Sequence, residues 1–498
     1  MKIRRILRVR GIVQGVGFRP FLYRIARSRG LTGFVLNDDQ GVLLDVEGDG
    51  DALEGLEQTI RADAPPLSRI SGIETRELPL RGSERFEIRE SPHAKRRRVP
   101  VSPDAATCSD CCADILDPEN RRYRYPFTNC THCGPRLTIV RDVPYDRART
   151  TMASFPLCPA CRAEYEDPEN RRFHAQPNAC FDCGPRLELR DATGILLPAI
   201  DPLAEARRLL ACGHILAIKG IGGYHLACDA GNEVVIHALR DRKVRQEKPF
   251  ALMAATVAEI EKHCFVGREE RTLLSSPESP IVLLRKRPDS NLPEGIAPRQ
   301  AYLGFMLPYA PYTHLLFHPK PGEEACPPVL VMTSANRSDE PIAYEDEEAR
   351  GRLQEIADYF LVHDRPIHIR CDDSVVRVFR GRPQILRRAR GYAPRAIDLY
   401  PPLPQPALAV GAMLKSTFAL GREAEAIVGH HIGDLENLET YRSLEHGVLH
   451  YCRLFDHDPD VIVHDLHPDY LSTRFALDHP ASRRIAVQHH EAHLAGVL

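Results

Sequence analysis

Eight cysteines, arranged as four Cys-x2-Cys pairs between Cys108 and Cys183, constrain this chain more than any other feature. They form two sets: Cys108 and Cys111 with Cys130 and Cys133, then Cys158 and Cys161 with Cys180 and Cys183. The second set repeats the first at an offset of 50 residues, and the strings DPENRR and CGPRL recur unchanged. Inside each set 18 residues separate the two pairs, a spacing typical of four-cysteine zinc sites. Four thiolates complete a tetrahedron and leave no open coordination place, so both sites are expected to hold structural zinc. Cys112 falls outside the pattern and is read as a bystander.

At 498 residues the chain exceeds what one hydrophobic core can serve, and three or four domains are expected. Hydrophobic residues at 43% and charged residues at 27% exclude global disorder and collagen-like repeats. The formal net charge of −2 removes bulk attraction to nucleic acid or anionic membrane. Acidic residues offset the arginines of the cysteine repeats, so those modules are expected to be an interdomain scaffold, with nucleic acid an improbable partner. There is no apolar run long enough for a membrane span, and arginines interrupt the N-terminal apolar stretch where a signal peptide would need its core. The expected location is the cytoplasm.

Residues 1–92 read as one unit. A strand over 3–12 precedes a helix whose apolar face is Phe18, Phe21, Leu22, Ile25 and Ala26. Strand-like runs at 33–36 and 42–47 follow, then a helix with Leu53, Leu56 and Ile60 on one face, then a strand near 86–88. That order is βαββαβ, a ferredoxin-like sandwich. Its first turn, Gln14-Gly15-Val16-Gly17-Phe18, converges backbone N–H groups on a helix N-terminus and is a candidate phosphate-binding loop. Arg19 adds a planar fork matched to phosphate oxygens. The strings RVRGIVQGVGFRPF and GFVLNDDQGV resemble the acylphosphatase family across this segment. The resemblance implies that Arg19 holds the phosphoryl group and Asn37 orients the attacking water.

A Pro-rich, basic stretch around 95–103 reads as a linker to the zinc modules at 104–190. A mixed α/β domain is expected over 198–392. It has no Walker loop, since the nearest string, GAMLKS, lacks the glycine before lysine. Lys219, Arg242, Lys243, Arg245 and Lys248 lie close in sequence to the glycine turn 220–223 and suit a triphosphate. Ser334 and Asn336 follow an apolar strand. KPFALM, TSANRSDEPI and DDSVVR resemble the YrdC family, whose members make carbamoyl-type adenylates from ATP. By that resemblance the cationic set meets the phosphates, and Ser334, Asn336 and Ser374 contact nucleotide or acyl group.

After PPLPQP at 401–406 a fourth segment, 402–498, ends in AVQHHEAHLAGVL, where His489 and His493 share a helix face. The whole order of domains resembles the carbamoyltransferase family of [NiFe]-hydrogenase maturation. The fold class expected is therefore multidomain α+β and α/β: acylphosphatase-like, two four-Cys zinc modules, YrdC-like, and part of an actin-like ATPase-fold transferase domain. The resemblance implies carbamoyl phosphate and ATP with Mg²⁺ as substrates, carbamoyl adenylate as intermediate, and the C-terminal cysteine of HypE as acceptor, for cyanide ligand synthesis. It also implies a metal of unassigned identity at His489 and His493. Relatives continue a couple of hundred residues past the position of Leu498, so a fragment, or a chain completed by a second polypeptide, is expected, with an apolar lobe face exposed. Two alternatives stand beside this reading: a tRNA threonylcarbamoyl-type modifying enzyme, and a non-enzymatic zinc scaffold.

Overall fold

The computed structural model describes residues 2–38, 40–89, 101–143, 145–198, 200–337 and 340–497. Most of the expected linker, 95–100, the end of the first domain, 90–92, and Leu498 lie outside the described residues.

The first domain is a five-stranded sheet of β1 (Lys2–Ile12), β2 (Thr32–Asp38), β3 (Gly41–Asp49), β4 (Arg69–Leu78) and β5 (Phe86–Ile88), in the order β4-β1-β3-β2-β5. β1 runs antiparallel to both β3 and β4. The helix Phe18–Ser28 buries Phe18, Phe21, Leu22 and Ala26 against Val9, Val35, Val42 and Leu44. One expectation fails here. The strand that closes the ferredoxin-like unit is β4, whereas Phe86–Ile88 adds to the opposite edge, parallel to β2. β4 is an exposed edge strand with only Ile70, Gly72 and Ile73 half-buried, so it lacks the alternation that marks a strand in sequence. Gly55, at φ +64°, splits the second helix into Gly50–Leu53 and Leu56–Ala62.

Each zinc module opens on a helix that starts just after its first cysteine, Ser109–Leu116 and Pro159–Glu166. Ile115, Tyr125 and Phe127 of the first module share a core with Leu203, Tyr312 and Leu361 of the following domain. That shared burial makes the modules part of the body of the protein.

The middle domain is a mixed ten-stranded sheet. Its strands are β6 (Leu187–Asp191), β7 (Leu216–Lys219), β8 (Tyr224–Asp229), β9 (Ala251–Ala254), β10 (Ile281–Arg285), β11 (Tyr302–Met306), β12 (Val329–Ser334), β13 (Tyr359–His363), β14 (Val375–Phe379) and β15 (Arg382–Arg387). Their order is β15-β14-β10-β11-β9-β12-β8-β7-β13-β6. The end strand β6 pairs antiparallel with β13, so the sheet recruits residues from the segment assigned to the zinc modules.

The last segment forms a four-stranded sheet, β16 (Ala396–Ala409), β17 (Ala419–Val428), β18 (Val461–Asp465) and β19 (Arg483–Val487), ordered β17-β16-β18-β19. PPLPQP, read as a boundary, lies inside β16. The register slips against β17 between Asp398 and Leu403 and again before Ala407, and β18 pairs only with residues 407–409. Prolines that cannot donate are tolerated where the ladder is interrupted and one edge is free. Among the described residues no helix is long and apolar enough to cross a membrane.

Candidate functional site

The two cysteine sets close as the spacing requires. In each, the four sulfurs lie within 4.8 Å of one another. Contacts are 3.6 Å for Cys108–Cys130, 3.9 Å for Cys130–Cys133, 3.7 Å for Cys158–Cys180 and 3.9 Å for Cys180–Cys183. Tetrahedral zinc–sulfur bonds of about 2.3 Å place sulfurs about 3.8 Å apart, so the residues fit zinc. The repeated DPENRR string gains its meaning here, because each arginine pair reaches into the other module. Arg121 donates to Cys161 Sγ at 3.0 Å, and Arg122, fully buried, to Cys161 Sγ at 3.5 Å, Glu164 at 2.5 Å and Asn178 Oδ1 at 2.9 Å. Reciprocally, Arg171 donates to Cys111 Sγ at 3.3 Å, and Arg171 and Arg172 both pair with Asp114. Four thiolates around a dication retain negative charge, which these guanidinium groups offset. Burial raises the Glu164 pKa, yet Arg122 and Arg121 hold it down at about 2.

The phosphate-binding loop lies directly against these modules. Val16 and Phe18 are buried anchors, and Gln14 Nε2 donates to the Asp38 and Gly41 carbonyls, each at 2.8 Å. The loop is thereby tied to the hairpin that carries Asn37. Gly15 and Gly17 adopt φ of +70° and +78°. A Cβ on Gly17 would sit 2.7 Å from Thr131 Oγ1, between two zinc ligands in sequence, and one on Gly15 would sit 3.4 Å from the Tyr145 ring. Arg19 makes no hydrogen bond or ion pair among the described residues. Burial lowers its pKa, with Asp146 and Tyr165 as the opposing influences. Asn37 is 8% exposed and its Oδ1 has no partner. An unpaired guanidinium at a helix N-terminus and an orphan acceptor on the adjoining strand are suited to hold an anion and a water.

In the middle domain Lys243, Ser334 and Asn336 do converge. Lys243 Nζ, fully buried, donates to the Ser334 carbonyl at 2.9 Å and to Asn336 Oδ1 at 2.5 Å, while Ser334 Oγ lies 3.2 Å from the same Oδ1. Burial pushes the Lys243 pKa well down, and Arg245 adds to the effect. Arg245 Nε donates to the Lys248 carbonyl at 3.0 Å, folding that turn over Phe250. Lys219 is buried at the end of β7 and pairs with Asp346 at 2.6 Å. Gly222 is obligatory nearby, since a Cβ there would meet the Cys371 carbonyl at 2.3 Å.

Two expected members are elsewhere. Arg242, next to Lys243 on its helix and so turned away from it, pairs with Asp358 at 2.7 Å. The Ser374 hydroxyl donates to the Arg390 carbonyl and accepts from Ala389 N, both at 2.8 Å, and so fastens the loop at 389–390.

Sequence reasoning missed the charges around that loop. Asp373 accepts from Arg390 Nε at 2.8 Å and lies 2.7 Å from His225 Nε2, and the Arg390 guanidinium stacks 3.7 Å over Tyr309. Although burial opposes it, Arg390 and His225 hold the Asp373 carboxylate well below its usual range. The doublet Asp372-Asp373 in DDSVVR was the available signal. Asp373→Asn is expected to cost about 3–5 kcal/mol by leaving Arg390 buried without its counter-charge. The check is the thermal midpoint, which should fall clearly below that of the unmodified chain.

At the far end, His489 Nε2 and His493 Nε2 stand 3.2 Å apart, and His489 Nδ1 meets Asp465 Oδ2 at 2.7 Å. Two imidazoles therefore converge there, with a carboxylate behind one of them. Leu466 and Leu494, next in sequence to Asp465 and His493, are exposed.

Comparison with known proteins agrees with this geometry. Family models match for acylphosphatase over 5–88, for the HypF finger over 107–140 and 157–190, for Sua5/YciO/YrdC, described as telomere recombination, over 208–389, and for the HypF Kae1-like domain over 403–498. A carbamoyltransferase HypF2 of Cupriavidus necator is 50% identical, covering 100% of this chain and 63% of that protein. The chain belongs to the HypF family. A HypF of Rhodobacter capsulatus is 48% identical over 99% of this chain and 65% of its own length. A crystal structure of full-length HypF, in a phosphate- and nucleotide-bound form, superposes with TM-score 0.92 at 44% identity, covering 99% of this chain and 64% of that one. The chain thus spans less than two-thirds of the length of these HypF relatives. The first domain alone is 42% identical to 92% of an acylphosphatase from Thermotoga petrophila.

Proposed function

We propose that this HypF-family chain hydrolyses carbamoyl phosphate in its first domain and adenylates the released carbamate with ATP in its YrdC-like domain. In the first step the N–H groups of the loop 15–18 and Arg19 hold the phosphoryl oxygens, and Asn37 Oδ1 accepts a hydrogen bond from the attacking water and orients it, the water's protons ending on the released phosphate. Phosphate leaves, and carbamate remains. The carbamate oxygen then attacks the α-phosphorus of ATP, forming carbamoyl adenylate and releasing pyrophosphate. Lys219, Lys243, Arg245 and Lys248 supply the positive field for that departing group, with Mg²⁺ carried in by the nucleotide. In the complete pathway the carbamoyl group passes to the C-terminal cysteine of HypE. His489 and His493, oriented by Asp465, would hold the metal of the transferase domain.

The observation that supports this reading most is that the acylphosphatase-family loop, packed against the zinc modules, leads into Arg19, which has no ion-pair partner among the described residues, and is tied to the hairpin that carries the unsatisfied Asn37 Oδ1. The modules then act as the spacer between hydrolysis and adenylation. The test is AMP formation from ATP and Mg²⁺ with and without carbamoyl phosphate. AMP that depends on carbamoyl phosphate, and that Lys243→Ala lowers at least tenfold, is expected. Equal AMP without carbamoyl phosphate would overturn the assignment.

A further inference from the structure

Arg365, two residues past the end of β13, is 4% exposed and forms no hydrogen bond or ion pair among the described residues. Its guanidinium lies 5.2 Å from the centroid of the Phe127 ring of the first zinc module. A buried guanidinium without a counter-charge is strongly unfavourable, and a fold that keeps one has a use for it. A second unsatisfied donor belongs to a residue beside the same ring. The Tyr312 hydroxyl is buried without a partner, and its ring stands 6.3 Å from the same Phe127 ring. After burial itself, Arg365 is the strongest influence on that hydroxyl.

The one carboxyl that influences Arg365, Asp104, is engaged elsewhere through one oxygen, while its Oδ2 is buried without a partner. Its Oδ1 accepts from Arg136 N at 2.6 Å and Thr138 Oγ1 at 2.8 Å, and burial raises its pKa towards the neutral form. Arg365 also follows closely on His363, whose carbonyl holds the ammonium of Lys219. Its charge is felt at Lys219, whose ammonium bonds the His363 carbonyl at 2.9 Å, and Tyr145, which covers Gly15, acts on Arg365 in turn.

We propose that Arg365 and the Tyr312 hydroxyl form a buried site for a small planar monoanion of the carboxylate, bicarbonate or carbamate type, lying between the phosphate-binding loop and Lys219. One guanidinium fork and one hydroxyl match two coplanar oxygens bearing a single charge. A phosphate dianion would leave net negative charge buried there, so this site discriminates against the by-product of the first step. The site's assignment as a station for carbamate rests on the proposed function; its capacity to bind such anions does not.

Bicarbonate is the probe. Added to the full chain against sodium chloride of equal ionic strength, it is expected to raise the thermal midpoint by about 2–4 °C. Arg365→Met removes the unpaired buried charge, so its midpoint without bicarbonate is expected above that of the unmodified chain, and its response to bicarbonate is expected to vanish. Tyr312→Phe deletes only the hydroxyl and should weaken half-saturation at least threefold, which keeps the test open if the methionine variant does not fold. An unchanged response in both variants, or none in the unmodified chain, would overturn the site. In the coupled assay Arg365→Met should lower AMP formed per phosphate released at least tenfold. A chain that makes no carbamoyl-phosphate-dependent AMP would refute the proposed function, while the bicarbonate response would still decide the anion site.

Discussion

Arg19→Ala is expected to lower phosphate release from carbamoyl phosphate by about 10²–10³-fold, with little change in thermal midpoint. The size of the effect follows from what Arg19 does not touch. No carboxylate engages its guanidinium among the described residues, so its charge is available to a bound phosphoryl group, and its removal breaks no structural ion pair. Arg19→Lys should recover only part of the rate, because an ammonium supplies the charge without the planar fork. A steady-state phosphate assay, with midpoints measured alongside, checks the result. A large fall in midpoint with Arg19→Ala would instead show that the residue holds the loop to the zinc modules.

Arg122→Ala should release zinc from the second module, Cys158 to Cys183, and leave the first module loaded. Arg122 belongs to the first module by sequence but donates to Cys161, Glu164 and Asn178 of the second. Its loss strips a positive charge from the thiolate cluster and leaves Glu164, half-buried, with Arg121 as its one remaining ion-pair partner among the described residues. Removal of such outer-shell partners typically costs 10–100-fold in metal affinity. The mirror substitution, Arg172→Ala, should loosen the first module, since Arg172 pairs with Asp114 behind Cys111. Chelator-driven release, followed by a colorimetric zinc indicator, should show one fast and one slow ion in each variant. Mass spectrometry after alkylation of freed cysteines identifies which module opened. Loss from the module that carries the substitution in its own sequence would contradict the crossed arrangement.

Local sequence specified the parts whose chemistry is local. The zinc ligands are legible because a Cys-x2-Cys knuckle fixes two donors by itself, and duplication at 50 residues supplies its own confirmation. The anion loop is legible for a similar reason, since glycines, helix start and Arg19 are contiguous. What stayed hidden depends on tertiary neighbours. Ser374 and Arg242 sit in motifs that look ligand-facing, but Ser374 is occupied by the backbone at 389–390 and Arg242 turns towards Asp358. Arg390, the partner of Asp373, comes from 17 residues further on. β4 escaped notice because an exposed edge strand has no buried face to impose alternation, and β16 because its prolines resemble a linker. The crossed arginines were printed twice in the sequence, yet nothing in DPENRR says that each copy serves the other's metal.

The central claim is that two chemical steps share one interior. The most direct test supplies carbamoyl phosphate labelled with ¹⁴C in its carbonyl, together with ATP, Mg²⁺ and a large excess of unlabelled ammonium bicarbonate, which generates unlabelled carbamate in the medium. Rapid quenching then gives the specific radioactivity of the carbamoyl adenylate. Label retained close to that of the starting carbamoyl phosphate is the predicted result, because carbamate made at Arg19 reaches Lys243 without leaving the protein. Label diluted to the level of the bulk carbamate would mean that the intermediate escapes, and would contradict the account.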